Sequence, residues 1–340
     1  MIRVVMTALL LGLVGAAAQT GLQHGVVFDQ GSPLASNAEI ARRVLSPLGV
    51  ARVNAALAQS HTALRDQPID PAKESFVLYV PAKMPAAGYG LLVFVAPWEE
   101  EGIPRSWPPV LDDKGVIIVA AGKSGNDANV LSRRLPLALI AARNVMARYK
   151  IDPSRVYAGG MSGGSRVAMK LALGWPDLFK GALLNAGADP VGRAGTHVPP
   201  RDLMRTFQEK TRLVYVTGDR DQVNQGTDIT SMRTMRDYCM FNIDRITMHD
   251  TGHAPADPLS LGRALDLLDT KVTPDARLAD CRSGLDSEWS KALDGVEALI
   301  AGGKRDAART SLDELDLKYG GLAAPRSLEL NARLAQPAQK

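Results

Sequence analysis

A serine in a glycine-rich turn is the residue of this sequence best placed for nucleophilic chemistry. Ser162 lies within residues 160–164 (GMSGG), after a strand-like run at residues 155–158 and before a stretch with helical periodicity. A serine on a strained turn between a strand and a helix projects its hydroxyl above the sheet, and glycines let the two elements pass closely. A chance match among 31 glycines is the alternative. The strand–turn–helix context favours a nucleophile.

A serine hydroxyl is a poor nucleophile near neutral pH, so this interpretation requires a base and an acid that orients the base. On such a turn the expected chain order is Ser, then Asp or Glu, then His. Asp221 follows a predicted strand at residues 212–217, at the carboxyl edge where α/β sheets place their sites. Asp219 is the alternative acid, because the spacing argument that separates the two is modest. His253 lies on the loop after the last predicted strand, so we predict a triad of Ser162, Asp221 and His253.

The other histidines of the sequence are less suited to the role of base. Of the five histidines, three precede the predicted acid in the chain and are disfavoured by that order: His24, His61 and His197. His249 is the competitor of His253. It ends a predicted strand, where a histidine is more often structural, whereas His253 has the freedom of a loop.

Backbone N–H groups near Ser162 are expected to stabilise the negative charge that develops during nucleophilic attack. Gly163 begins a helix, whose N-terminal N–H groups favour an anion. The second donor should come from the loop after a predicted strand at residues 91–95, where Pro97 has no N–H. Either Ala96 or Trp98 must donate, and we predict Trp98. Trp98 and Trp107 are also candidate walls of a substrate pocket, with ordinary core tryptophans as the alternative.

The elements that must position these residues alternate between strands and helices from residue 74 onward. Several predicted strands are apolar throughout, as expected for parallel strands covered on both faces. The alternation predicts an α/β fold with a doubly wound, mostly parallel sheet. The predicted strands are residues 76–80, 91–95, 116–120, 155–158, 181–185, 212–217 and 244–249, and the predicted helices are residues 129–149, 164–173, 229–238 and 259–268.

Four segments are predicted along the chain. Residues 1–18 have a positive start at Arg3, an apolar run and small residues up to Ala18, which indicate a cleaved export signal rather than a membrane anchor. The mature protein should therefore be secreted or periplasmic, with no stable membrane anchoring. Residues 19–68 are predicted to be a helical lead without strands, and residues 69–272 the α/β core. Residues 273–340 form a helical extension, with helices at about residues 287–300 and 304–319.

Composition limits the partners of the chain. The formal net charge is +4 and the basic residues are scattered, so nucleic acid is not an expected partner. Histidine and cysteine spacing predicts no metal site, and no phosphate-binding loop is present, so no cofactor is expected. The two cysteines, Cys239 and Cys281, belong to a chain predicted to reach an oxidising compartment. They either form a disulfide or remain buried thiols.

Three segments resemble one family of enzymes. Residues 149–157 (YKIDPSRVY), 160–164 and 175–179 (WPDLF) resemble secreted polyhydroxybutyrate depolymerase-like and feruloyl-type esterases, with similarity over roughly residues 74–268. The resemblance implies an α/β-hydrolase fold and serine hydrolysis of a small-molecule or polymeric ester by Ser162, Asp221 and His253. The His-Gly or Gly-Cys turn usual in that family is replaced here by residues 96–98 (APW), which leaves the substrate open. A serine peptidase on the same fold and a non-catalytic envelope binding protein are the alternatives.

Overall fold

A single sheet forms the centre of the computed structural model, which describes residues 19–65, 69–193 and 195–336. The predicted export signal lies outside the described residues. Every residue of the third and sixth strands is buried, as the uninterrupted apolar runs indicate. The eight strands are β1 (Gly21–Val26), β2 (Phe76–Val80), β3 (Tyr89–Val95), β4 (Val116–Ala121), β5 (Ile151–Met161), β6 (Gly181–Asn185), β7 (Arg212–Gly218) and β8 (Ile243–Met248).

The order of strands across the sheet is β1-β2-β4-β3-β5-β6-β7-β8. The pairs β1/β2 and β2/β4 are antiparallel, and every other neighbouring pair is parallel. From β3 the chain crosses to one side to form β4 and then returns past β3 to build β5 to β8. The doubly wound, mostly parallel sheet predicted from the sequence is confirmed. The carboxyl ends of β5, β7 and β8 consequently lie at one edge, which we call the catalytic edge because the residues of the predicted triad follow these strands.

Helices cover both faces of this sheet. One face packs against the cluster that contains α4, α5 and parts of the lead and the extension, while the other packs against α3 and α8. A π-helical turn, Val130–Arg134, precedes α4. The helices are α1 (Asn37–Val44), α2 (Pro47–Gln59), α3 (Pro108–Lys114), α4 (Leu135–Arg148), α5 (Gly163–Gly174), α6 (Arg201–Lys210), α7 (Gln222–Asp237), α8 (Pro258–Asp269), α9 (Leu278–Ala301), α10 (Arg305–Tyr319) and α11 (Arg326–Ala335).

The prediction that the lead contains no strand is wrong. Gly21–Val26 forms β1, which pairs antiparallel with β2. Two of its six residues are glycines, which have low strand propensity, so its extended form depends on hydrogen bonds to β2. Phe28 then packs on Phe76 with ring centroids 4.6 Å apart. The lead therefore contributes to the core.

The lead also contacts the extension, which has three helices in the structure rather than the two predicted. The carboxylate of Asp316 on α10 accepts hydrogen bonds from the hydroxyl of Ser46 and from Leu48 N–H (3.2 Å), at the start of α2. Arg52 and Asp313 form an ion pair at the surface of the same contact. We call this the lead–extension contact.

A disulfide links Cys239, just after α7, to Cys281 on α9, with the Cα atoms 5.7 Å apart. It joins the core covalently to the extension. Within residues 19–65, 69–193 and 195–336, no helix is long and apolar enough to cross a membrane.

Candidate active site

Ser162 occupies a strained turn between β5 and α5. Its backbone has φ 53° and ψ −123°, a conformation that costs free energy for a residue with a side chain and is typical of functional sites. Glycine is required on both sides of the turn. A Cβ on Gly160 would lie 2.2 Å from Gly164 O, and one on Gly164 would lie 1.9 Å from Val95 O. The glycines therefore let strand and helix approach while the partly exposed Ser162 projects from the sheet.

Asp221 and His253 form a hydrogen-bonded pair at the catalytic edge. Asp221 follows β7 and is 8 % exposed, and His253 Nδ1 lies 2.7 Å from its Oδ2. The amide of Asn224, one turn into α7, donates to both carboxylate oxygens at 3.0 and 2.9 Å. Burial by itself raises the pKa of Asp221, but the hydrogen bonds from His253 and Asn224 outweigh it and hold the pKa below its ordinary value. Asp221 is thus held as a carboxylate.

The alternative acid and base pair with each other instead. Asp219 Oδ2 lies 2.9 Å from Nδ1 of His249, whose side chain is 89 % exposed. The carboxylate of Asp219 also accepts the N–H groups of Asp250 and Thr251, at 3.0 and 3.1 Å. Asp219, His249 and Asp250 are close enough together to share a metal ion, although these hydrogen bonds account for their arrangement. The structure therefore favours Asp221 and His253 as the functional pair.

Asn185, which the sequence analysis missed, connects the three strands of the catalytic edge. It is fully buried at the end of β6, and its carbonyl accepts Ser162 N–H at 2.8 Å. Its side-chain amide donates to Val216 O on β7 at 3.0 Å and to Ala254 O at 3.2 Å. Its Oδ1 accepts Ala256 N–H at 2.7 Å. One side chain thus fixes the loop that follows His253 relative to the backbone of Ser162.

The two tryptophans proposed as pocket walls have different environments. Trp107 is fully buried, and its indole N–H donates to Ala256 O at 2.8 Å. Its ring packs edge-on against Phe94, with centroids 5.1 Å apart. Trp107 is therefore a core residue that anchors the histidine loop, as the alternative interpretation had it, and presents no surface to a substrate. Trp98 is partly exposed on the loop after β3.

Two N–H groups predicted to bind an oxyanion have no partner in the described parts of the chain: those of Gly163 and Trp98. The segments that carry them meet, since a Cβ on Gly164 would also lie 3.4 Å from the carbonyl carbon of Ala96. Arg134 contacts both segments, donating to Ala96 O at 3.0 Å and to Gly163 O at 3.4 Å.

Ser162 and His253 are not hydrogen-bonded to each other in the structure, within the residues it describes. Both are nevertheless connected through Asn185, whose carbonyl accepts Ser162 N–H and whose side-chain amide donates to the carbonyl of Ala254, the residue that follows His253. Catalytic hydrogen bonds are often long in the absence of substrate and tighten in the complex.

The strand order and the placement of the three side chains decide the fold family. A serine on a strained turn after β5, an acid after β7 and a histidine after β8 stand at one edge of a sheet with order β1-β2-β4-β3-β5-β6-β7-β8. The chain has an α/β-hydrolase fold. No family model matches the sequence.

Part of the chain is similar in sequence to a poly(3-hydroxybutyrate) depolymerase from Ralstonia pickettii. The two are 32 % identical over an alignment of 99 residues, and the match covers 25 % of this chain and 20 % of that protein. The similarity thus spans about a fifth of the depolymerase.

Solved structures of two esterases resemble the fold distantly. A thermophilic esterase from Thermogutta terrifontis has a TM-score of 0.40 and 16 % identity, covering 59 % of this chain and 86 % of that one. An acetyl xylan esterase from Aspergillus awamori has a TM-score of 0.44 and 13 % identity, covering 58 % of this chain and 95 % of that one.

Proposed function

We propose that this protein is an exported serine esterase that cleaves carboxylic ester bonds through an acyl-enzyme on Ser162. The observation that carries the proposal is the 2.7 Å hydrogen bond between Asp221 and His253, at the edge where Ser162 projects from its strained turn. A serine, a base and an oriented acid are the groups that nucleophilic acyl transfer requires. All of them are side chains of this chain.

The geometry supports a two-step reaction. Ser162 Oγ attacks the ester carbonyl while His253 takes the hydroxyl proton, and Asp221 stabilises the imidazolium that forms. The N–H groups of Gly163 and Trp98 stabilise the oxyanion of the tetrahedral intermediate. His253 then gives the proton to the departing alcohol, which leaves an acyl group on Ser162. Water, activated by His253, attacks this acyl group and releases the acid, so that the free hydroxyl is regenerated.

Sequence similarity and the exposure of His253 support an ester as the substrate, and two features of the chain support an exported location. The sequence similarity to a poly(3-hydroxybutyrate) depolymerase favours an ester bond, in a small molecule or a polymer. The side chain of His253 is 43 % exposed, so a substrate can reach the imidazole from solvent. The predicted signal at residues 1–18 and the disulfide between Cys239 and Cys281 both favour an oxidising compartment.

The test uses a fluorophosphonate probe, which reacts with activated serines, on the mature protein and on Ser162→Ala. We expect labelling of the wild type and none of the variant. An unlabelled wild type would contradict the enzyme proposal and favour a binding protein. Short-chain and hydroxycinnamoyl esters are then compared with dipeptides as substrates. Hydrolysis of the peptides alone would replace the esterase by a peptidase.

A further inference from the structure

A buried arginine lies behind the turn that carries Ser162. Arg134 is the last residue of the π-helical turn before α4 and is 3 % exposed. Its guanidinium donates from Nε to Ser124 O at 2.9 Å, from Nη2 to Ala96 O at 3.0 Å and from Nη1 to Gly163 O at 3.4 Å. All of its hydrogen-bond acceptors in the described residues are backbone carbonyls.

The charge of Arg134 has no direct counter-ion. No carboxylate oxygen lies within 4.0 Å of it in the parts of the chain that the structure describes. A buried cation is costly unless it is paired or fully hydrogen-bonded. Burial lowers the pKa of Arg134 and the more distant carboxylate of Glu99 raises it, with a net shift downward. Because an arginine side chain stays protonated in proteins, the site nevertheless contains a buried positive charge.

We propose that Arg134 is a positioning residue for the oxyanion site. It holds the backbone segments of Gly163 and Trp98 at a fixed separation and adds positive potential where the tetrahedral intermediate gains negative charge. This inference rests on the proposed esterase function.

The hydrogen bonds of Arg134 act on the peptide units beside the predicted donors. Gly163 both supplies the predicted N–H and offers its carbonyl to Arg134. Ala96 is separated from Trp98 by Pro97, whose ring fixes φ, and Pro97 O accepts Asn126 N–H at 3.1 Å, so the peptide units on both sides of Pro97 are held. Oxyanion donors act efficiently only when they are held in place before the reaction. The planar fork of a guanidinium can bind three carbonyls at once, which the single ammonium of lysine cannot do in the same geometry.

The neighbouring arginine provides a matched control. Arg133 forms a two-pronged ion pair with Glu74, at 3.0 and 2.7 Å, donates from Nε to Lys123 O at 2.6 Å, and is partly exposed. It has the same side chain at the adjacent position, but in the described residues it donates no hydrogen bond to Gly163 or Ala96. Replacing it should disturb the π-helical turn to a similar degree without affecting the oxyanion site.

The experiment compares Arg134→Met, Arg134→Lys and Arg133→Met, with kcat and KM measured on the best ester substrate. We expect kcat to fall about 10²-fold in Arg134→Met, the size of the loss of one oxyanion donor, with KM within about twofold. Arg134→Lys keeps the charge but not the fork, so its kcat should fall about tenfold. Arg133→Met should keep wild-type kcat. Wild-type kcat in a folded Arg134→Met, or in Arg134→Lys if the methionine variant does not fold, would overturn the proposal.

A second measurement separates positioning from general loss of structure. A boronic acid forms a tetrahedral, negatively charged adduct with an activated serine, so its affinity should fall in proportion to kcat/KM in both Arg134 variants. If Arg134 were only a structural residue, its replacement would lower the melting temperature and the active fraction. The enzyme that remained active would then bind the boronic acid as tightly as the wild type does. That result would contradict the inference. A wild type without esterase activity or probe labelling would instead refute the proposed function itself.

Discussion

The catalytic edge and the lead–extension contact both contain a buried carboxylate with hydrogen-bonded partners. Asp221 is 8 % exposed and binds His253 and Asn224, whereas Asp316 is 4 % exposed and binds Ser46 and the N-terminus of α2. The difference lies in what each pair faces. The partner of Asp221 is a partly exposed imidazole beside Ser162, while both partners of Asp316 are structural groups at a helix start. On the proposed function, we therefore expect the same kind of hydrogen bond to support rate at one place and stability at the other.

The largest effect that separates the two regions is expected at Asp221. Asp221→Asn keeps the shape of the side chain but favours the wrong tautomer of His253, so kcat should fall about 10⁴-fold. The melting temperature should change little, because the side-chain oxygen of the new asparagine still caps the start of α7. Steady-state kinetics and a melting curve on the same preparation measure both. Equal losses of stability and kcat would contradict the distinction.

The next largest effect is expected at Asp316, where a substitution should lower stability and leave kcat unchanged. Asp316→Ala leaves the hydroxyl of Ser46 and Leu48 N–H without their acceptor in a buried place, which should lower the free energy of unfolding by about 3 kcal/mol. Asp313→Ala, on the same helix, removes only the surface ion pair with Arg52 and should cost less than about 1 kcal/mol. Urea unfolding measures both. The kcat of each variant should equal that of the wild type at a temperature where the variant is folded.

A smaller effect concerns the pH dependence of stability at the catalytic edge. Asp228 on α7 is 1 % exposed and accepts hydrogen bonds from Thr217 and Ala188, and burial raises its pKa from 3.8 to about 6. The folded state therefore binds this proton more tightly than the unfolded state, and the resulting stability is lost as pH rises from about 4 to 6. The free energy of unfolding of the wild type minus that of Asp228→Asn should be about 2 kcal/mol larger at pH 4.5 than at pH 7.5.

The control for Asp228 is Asp237→Asn, an exposed carboxylate on the same helix. Urea unfolding of all three proteins at both pH values measures the difference. If the free energy of unfolding changed equally between pH 4.5 and pH 7.5 in the wild type and in Asp228→Asn, the buried carboxyl of Asp228 would not be the cause of the pH dependence.

Much of the catalytic edge could be predicted from local sequence. The glycines around Ser162, between a strand pattern and a helix pattern, mark a tight turn, and chain order then points to an acid and a histidine in later loops. The structure brings Asp221 and His253 together and pairs Asp219 with His249. That second pairing favours Asp221 over Asp219 as the acid that orients His253, an alternative that spacing alone left open.

The parts that the sequence did not reveal depend on contacts between distant segments. Arg134 lies 29 residues from Gly163 and 38 from Ala96, and its bonds go to backbone carbonyls, which no side-chain pattern marks. The side chain of Asn185 likewise binds backbone atoms 31 to 71 residues away. The strand β1 forms because β2 offers a free edge, not because its glycine-containing sequence favours an extended chain. Local periodicity carries none of this information.

The most direct test of the proposed function is to locate the acyl-enzyme. The wild type is mixed with a slowly hydrolysed aryl ester, quenched in acid within the first turnover, digested and analysed by peptide mass spectrometry. The proposal predicts an acyl group on the hydroxyl of Ser162, a stoichiometric burst of phenol, and neither signal in Ser162→Ala. Ester hydrolysis with no acyl group on Ser162, or an acyl group on another residue that persists in Ser162→Ala, would contradict it.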